Sequence, residues 1–461
     1  MEVSRADVPS GRTGVGMKRL LLSSLLLLST LSAQAEPDFS ALGQQALTLS
    51  QEYIRIPSIN PPADTTRTAA FLKAILDKEG IEAKLYTSAP GKVNLLARLK
   101  GRKPGGKLLL LHHMDVVPAD PARWPVDPFS ATVKDGLLYG RGAVDMKTTG
   151  ILQLLTLITL KREKVILEHD VLLLASADEE SGGEQGAQWM IKHHWEDMQP
   201  EYVLDEGGFG TRDLLSAENK LIFGIAVSEK KILWAKLIAT GTSGHASQPV
   251  PDNANDRLLK ALTRLDAKMN GDVAHTSPLV ETLRQRSGKL SVNKFTKAIQ
   301  KDTVSLTSLR SGVGDPPKVN VIPSRAEATL DFRLLPDTDL KAFKAELAKL
   351  WSDIPGLTFE EIHSTEITPI SPHQTALFES LQKAVQREYA EAVVTPYLVP
   401  FGTDSNGFRL KGAKAYGFVP AIVNASIVAS MHSDAERLPV DQFTPALRIY
   451  YRAVLGYVTN P

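Results

Sequence analysis

Cysteine is absent from the chain, which removes disulfides, thiol nucleophiles and thiolate metal ligands together. Any metal ion must then be held by His, Asp and Glu. Charge of either sign is not in excess either: 53 Lys and Arg face 52 Asp and Glu, a formal net of +1. That balance gives no electrostatic reason to expect nucleic acid or an anionic membrane surface as a partner. Long apolar runs are missing, with one exception from Leu20 to Leu31. This run is shorter than the ~20 residues that a membrane-spanning helix needs. It follows the basic Met17-Lys-Arg19 and precedes Ala33-Gln-Ala35, the layout of a signal peptide with its cleavage site. Residues 1–35 are therefore expected to be removed, leaving a secreted or periplasmic protein with no membrane attachment; a retained N-terminal anchor is the alternative reading. Residues 1–16 read as an upstream mis-start or a tail. Beyond this leader there is no internal repeat or low-complexity tract.

At 461 residues the chain exceeds one compact core, and about two to three domains are expected. From residue 36 to 228, short apolar strands alternate with helical patterns. Helices are predicted over 39–53, 66–79 and 146–160, and strands over 82–86, 94–99, 107–111 and 171–176, with a short strand at 202–204 ending in Asp205. This order predicts an α/β domain with a mostly parallel sheet and helices on both faces. The pattern changes near Ser228. Strands at 232–240, 303–309, 318–322 and 326–333, with helices at 253–266 and 340–351, predict a smaller α+β domain inserted over 229–365. Residues 267–303 are polar and read as further helices or an insertion. The first pattern returns over 366–461, so the larger domain is discontinuous.

The stretch Leu108-Leu-Leu-Leu-His-His-Met-Asp115 organises the rest. Side chains alternate along a strand, so His113 and Asp115 share a face and His112 points the other way. An imidazole beside a carboxylate suits a metal ligand whose tautomer the carboxylate fixes. Other acidic groups fall at the same kind of place, after an apolar strand or its turn: Asp145, the pair Glu179 and Glu180, and Asp205. His432 sits in a turn near the C-terminal end. In open α/β sheets, ligands collect beyond the carboxyl ends of the strands. Carboxylates crowded there without cations would repel and raise one another's pKa. Two cations about 3.5–4 Å apart, sharing one carboxylate, remove that penalty. Nitrogen and oxygen donors favour zinc, with cobalt or manganese as substitutes. Of the adjacent Glu179 and Glu180, one can bind metal while the other faces the attacking water as general base.

The motifs His113-Met-Asp115-Val-Val-Pro118, Gly140-Arg-Gly-Ala-Val-Asp145-Met-Lys147, Asp178-Glu179-Glu180-Ser-Gly-Gly183, Asp205, Gly241-Thr-Ser-Gly-His245-Ala-Ser-Gln-Pro249 and Met431-His432 resemble those of a zinc-dependent metallopeptidase and amidohydrolase family. It includes glutamate carboxypeptidase (carboxypeptidase G), aminoacylase, acetylornithine deacetylase, carnosinase and succinyl-diaminopimelate desuccinylase. The extra sequence at 267–303 is similar to the longer carboxypeptidase S-like branch, which also holds N-acyl amino acid hydrolases. The resemblance implies two zinc ions per subunit, one on His113, Asp145 and Asp205, the other on Asp145, Glu180 and His432, with Asp145 bridging. It further implies Glu179 as general base and Asp115 as the group orienting His113. His245 is implied as an oxyanion stabiliser that reaches the partner's site across a homodimer formed by the inserted lid domain. Asn320 and Arg333 match the family's substrate-carboxylate contacts, and Gly402 and Thr403 match a loop lining the substrate pocket. Thr148 and Thr149 stand between Lys147 and Gly150 where the family places glycine directly, at positions that ligate nothing.

The expected activity is hydrolysis of an amide or peptide bond next to a free carboxylate, as in a carboxypeptidase, dipeptidase or N-acyl-amino-acid amidohydrolase. An aminopeptidase-type metallopeptidase is the alternative, and a non-catalytic binding protein on the same fold a more remote one. A binding protein would be expected to have lost a ligand or the base, and none of those residue types is missing.

Overall fold

A computed structural model describes residue 11, residues 36–270 and residues 277–460. The reading of residues 1–35 as a signal peptide, residue 11 apart, lies outside the described residues. No helix among the described residues is long and apolar enough to cross a membrane.

The strands that build the two main sheets are, in chain order, β1 (Glu82–Ala89), β2 (Lys92–Leu99), β3 (Leu108–His113), β4 (Val171–Ser176), β5 (Tyr202–Thr211), β6 (Ile222–Glu229), β7 (Lys231–Thr240), β8 (Thr303–Ser311), β9 (Arg325–Leu334), β10 (Leu357–Ser364), β11 (Val393–Val399) and β12 (Lys414–Ile422). Eight of them form one sheet in the order β1-β2-β4-β3-β5-β12-β6-β11. Its centre is parallel: β3 pairs in parallel with β4 and β5, and β5 with β12. β1 and β2 close one edge antiparallel. The sheet is thus the mixed, mostly parallel α/β sheet that the strand–helix alternation predicts.

The leucine run of β3 follows from this position. A central parallel strand is covered on both faces, so it has no polar side to alternate with. Leu108 and Leu110 join one apolar cluster, and Leu109 and Leu111 join another on the opposite face with Met190, Met198 and Phe408. The first face is covered by α1 (Phe39–Ile54), α3 (Lys147–Arg162) and α9 (Phe443–Val458), while α2 (Thr66–Lys78) packs beside β1 and β2. α3 is buried at every position from Lys147 to Leu160. Apolar side chains fall on every side of it, with Gln153 and several threonines between them, because other elements surround it.

The smaller sheet is antiparallel in the order β8-β9-β7-β10. β9 alternates buried and half-exposed residues along its length, as a strand covered on one face should. α4 (Ala254–Asn270) and α7 (Leu340–Leu350) cover that face and share a core of their own with the sheet. α8 (Ala376–Glu388) returns the chain to the larger body, where it packs on α9.

The polar segment that the sequence assigned to the smaller domain goes elsewhere. α5 (Pro278–Ser287) and α6 (Lys294–Ile299) send Leu279, Leu283 and Ile299 into the core of the larger sheet, and α5 lies on β11. Two buried lysines mark the crossing between the sheets. Lys230 donates to the carbonyls of Ala298 and Lys301 at 2.9 and 2.7 Å, and Lys231 to that of Thr338 at 2.6 Å.

Candidate functional site

Strand ends deliver the donors. His113 closes β3, and its Nδ1 lies 2.9 Å from the backbone carbonyl of Asp115. A carbonyl only accepts, so Nδ1 carries the proton, and the ring in its neutral form keeps its lone pair on Nε2. That atom is 2.9 Å from Asp145 Oδ1 and 3.9 Å from Glu206 Oε1. The second oxygen of Asp145 lies 3.0 Å from His432 Nε2, which is also 3.3 Å from Glu180 Oε2. One carboxylate therefore offers a separate oxygen to each of two imidazoles. Donor atoms of His113, Asp145 and Glu180 lie within 4.8 Å of one another, as do those of His113, Glu179 and Glu206.

Asp115 does not act on His113 as expected. Its carboxylate is 3.8 Å from the ring nitrogen, beyond hydrogen-bond reach, and the main-chain carbonyl fixes the tautomer instead. The carboxylate accepts from Asn60 Nδ2 at 2.7 Å and from the backbone N–H groups of Glu179 and Glu180, each at 3.2 Å. It pins the turn that carries the two glutamates.

Asp205 is a second correction. The sequence reading ends its strand at Leu204, yet β5 continues to Thr211, so Asp205 and Glu206 are strand neighbours on opposite faces. Asp205 turns away and accepts from Ser405 Oγ at 2.7 Å, while Glu206 faces His113. The signal was the acidic pair itself, of which one member must face each way.

Another residue unforeseen in the sequence is Glu436, which is fully buried. It accepts from the backbone N–H groups of Val144 at 2.8 Å and of Gly142 and Asp145 at 3.1 Å, and from Arg141 Nη1 at 2.7 Å. Gly142 has a φ of 90°, open to glycine and costly to other residues. Four residues after His432, this carboxylate fixes the loop that presents Asp145. Its nearness to His432 in sequence was the available hint.

The remaining expected contacts lie apart from these donors. His245 is exposed and its Nδ1 pairs with Ser247 Oγ at 2.7 Å. Asn320 is exposed, and its carbonyl accepts from Ala246 at 2.9 Å. Arg333 on β9 is held by Asp331 at 2.8 and 3.0 Å. Thr403 is tied down through its N–H and hydroxyl to Glu229, at 3.2 and 2.7 Å. Gly402, beside it, does line the cavity into which Asp145, Glu179, Glu180, Glu206 and His432 face. None of His245, Asn320, Arg333 and Thr403 lines that cavity.

Electrostatics argue that the group is built for cations. Burial, and then the charge of Asp145, pushes Glu206 well above the usual carboxylate range. Burial does the same to Glu179, with Asp404, Glu180 and Asp145 adding to it. His432 is pushed up to about 10 by its hydrogen bonds to Asp145 and Glu180. At His113, burial disfavours the charged ring, but Asp145 outweighs it and the pKa is raised. Glu180 Oε1 is buried with no hydrogen-bond partner, a costly state for a polar atom unless something else binds it. Imidazole and carboxylate donors at these separations fit small divalent ions. His113, Asp145 and Glu206 would hold one, and His432, Asp145 and Glu180 the other.

Comparison with known proteins agrees with this geometry. Residues 109–456 match the model of peptidase family M20/M25/M40. The chain is 30% identical to mouse (Mus musculus) aminoacylase-1 over 88% of its own length and 93% of that protein. It is 28% identical to a human (Homo sapiens) N-fatty-acyl-amino acid synthase/hydrolase over 76% of its length and 74% of that one. Among solved structures, an M20 family metallo-carboxypeptidase from Sulfolobus solfataricus superposes with a TM-score of 0.70 at 22% identity, covering 90% of this chain and 100% of that one. The chain belongs to peptidase family M20/M25/M40 and is a metal-dependent hydrolase of amide bonds.

Proposed function

We propose that this protein hydrolyses the amide bond of N-acyl amino acids, next to the free carboxylate, with two zinc ions, one of which His113, Asp145 and Glu206 would hold and the other Asp145, Glu180 and His432. The observation that carries the reading is the Asp145 carboxylate, with one oxygen 2.9 Å from His113 and the other 3.0 Å from His432. The names of the two relatives, an aminoacylase and an N-fatty-acyl-amino acid hydrolase, favour an acyl amino acid over a longer peptide. Bound there, a pair of divalent cations supplies the charge that acidifies a water and polarises an amide carbonyl. Glu179 faces the same cavity, takes the proton of the attacking water and passes it to the leaving nitrogen. Burial that raises its pKa suits a group that must both accept and return a proton. Asp115 keeps Glu179 and Glu180 aimed by holding their N–H groups. The proposal extends to export with loss of residues 1–35, and to a homodimer formed through the smaller sheet with His245 reaching the partner's cavity.

Glu179→Gln tests the reading. Bound zinc should be unchanged by elemental analysis, while kcat on a panel of N-acyl amino acids and dipeptides falls about 10²- to 10⁴-fold. Turnover at the wild-type level would remove Glu179 from the role. If substrates with an amidated C-terminus are cut as well as free ones, the bond is not chosen by its neighbouring carboxylate and the aminopeptidase reading takes over.

A further inference from the structure

The cavity that holds the carboxylates has a volume of about 650 Å³, well within the range of small-molecule sites. A water and a scissile amide need only its acidic end. Away from that end the lining is apolar except for Asn293 and Lys294, and its walls are Leu214, Phe295, Ala298, Phe401, Val428 and Met431. Two of these six belong to α6, in the segment that the fold carries from the smaller sheet back to the larger one.

That segment is a fixed wall. Asn293 caps α6 through the N–H of Thr296 at 2.9 Å, and its amide donates to the carbonyl of Leu214 at 2.7 Å. Ser291 donates to the carbonyl of Asp213 at 2.6 Å, and Ala217 N–H to that of Lys289 at 2.8 Å. The segment is thus bound to the loop that leaves β5, the strand bearing Glu206. Lys230 closes the other end of α6 on the carbonyl of Ala298. The Phe295 ring stacks on Tyr397 with centroids 6.2 Å apart.

Building on the hydrolase reading above, we infer that α6 makes an apolar chamber beside the catalytic carboxylates, which binds a hydrocarbon chain of the substrate and sets its preferred length. The chain could be the acyl group or the amino-acid side chain. The chemistry is the same, and the experiment separates the two sources. One arm uses N-acylglycines from acetyl to dodecanoyl, the other N-acetyl derivatives of Gly, Ala, Leu and Phe. Each is measured as kcat/KM with the zinc-loaded enzyme, and as binding to Glu179→Gln by calorimetry.

In one arm the wild type should gain about two- to fourfold per added methylene until the chamber is full. Ala298→Trp, which puts an indole into that space, should cut the long-to-short ratio at least tenfold in the same arm. Phe295→Ala, which removes one wall, should flatten the slope. The inference fails if neither arm depends on chain size, or if both variants leave the ratio as in the wild type. Binding that rises with chain length while no amide is cut would keep the chamber and overturn the hydrolase reading instead.

Discussion

Asp205 and Glu206 are adjacent carboxylates with separate surroundings, and the strand they sit on decides which one faces His113. Glu206 faces His113 at 3.9 Å and Asp205 faces Ser405 at 2.7 Å. Elemental analysis after dialysis should find Glu206→Gln with about one bound metal instead of two, and Asp205→Asn still with about two. The reverse result would return Asp205 to the ligand set. His113, Asp145, Glu179, Glu180 and His432 were legible in the sequence because each follows an apolar strand or sits in a motif. The choice within the 205–206 pair was not, since it depends on how far β5 runs, and strand ends are set by pairing with β12 and β6. His432 adds a cost invisible in sequence. Its φ is 58°, a region that costs a non-glycine residue about 1–2 kcal/mol, and the turn around it must offset that.

Between elements, the loop carrying Asp145 and the turn carrying His432 come from distant parts of the chain and meet through Glu436. Four donors converge on this carboxylate, three of them backbone N–H groups of the Asp145 loop, and Arg141 beside it is nearly fully buried. Removing the charge leaves buried donors and a buried guanidinium without their partner, at a cost of about 3 kcal/mol. Glu436→Gln should therefore lower the unfolding free energy of the metal-free protein by about that amount in a urea titration, and weaken metal binding as the Asp145 loop loosens. A loss below about 1 kcal/mol would mean the loop holds its shape without the clamp. The path of residues 278–299 was hidden for a related reason. Leu279, Leu283 and Ile299 are too few and too spread to announce which core they enter. Hydrogen bonds commit α5 and α6 to the larger body: α5 through Arg286 and Ser287 to Val394 and Ser216, and the α6 segment through Asn293, Ser291 and Ala298 to Leu214, Asp213 and Lys230.

At the scale of the whole molecule, one central sheet brings residues from 113 to 432 to the same end, and a second sheet with its own core branches off between β6 and β11. That division was legible: apolar runs such as Leu108–Leu111 and Val171–Ser176 announce buried parallel strands, and the alternation in β9 announces a one-sided sheet. The substrate-facing wall was not, because it depends on where a polar insertion folds. The central claim is a pair of cations on either side of the Asp145 carboxylate. Anomalous difference density, collected above and below the zinc edge on crystals of the zinc-loaded protein, tests it most directly. The account predicts two peaks about 3.5–4 Å apart, one beside His113 and Glu206, the other beside Glu180 and His432. A single peak, or a peak beside Asp205 and Ser405 in place of either, would contradict it.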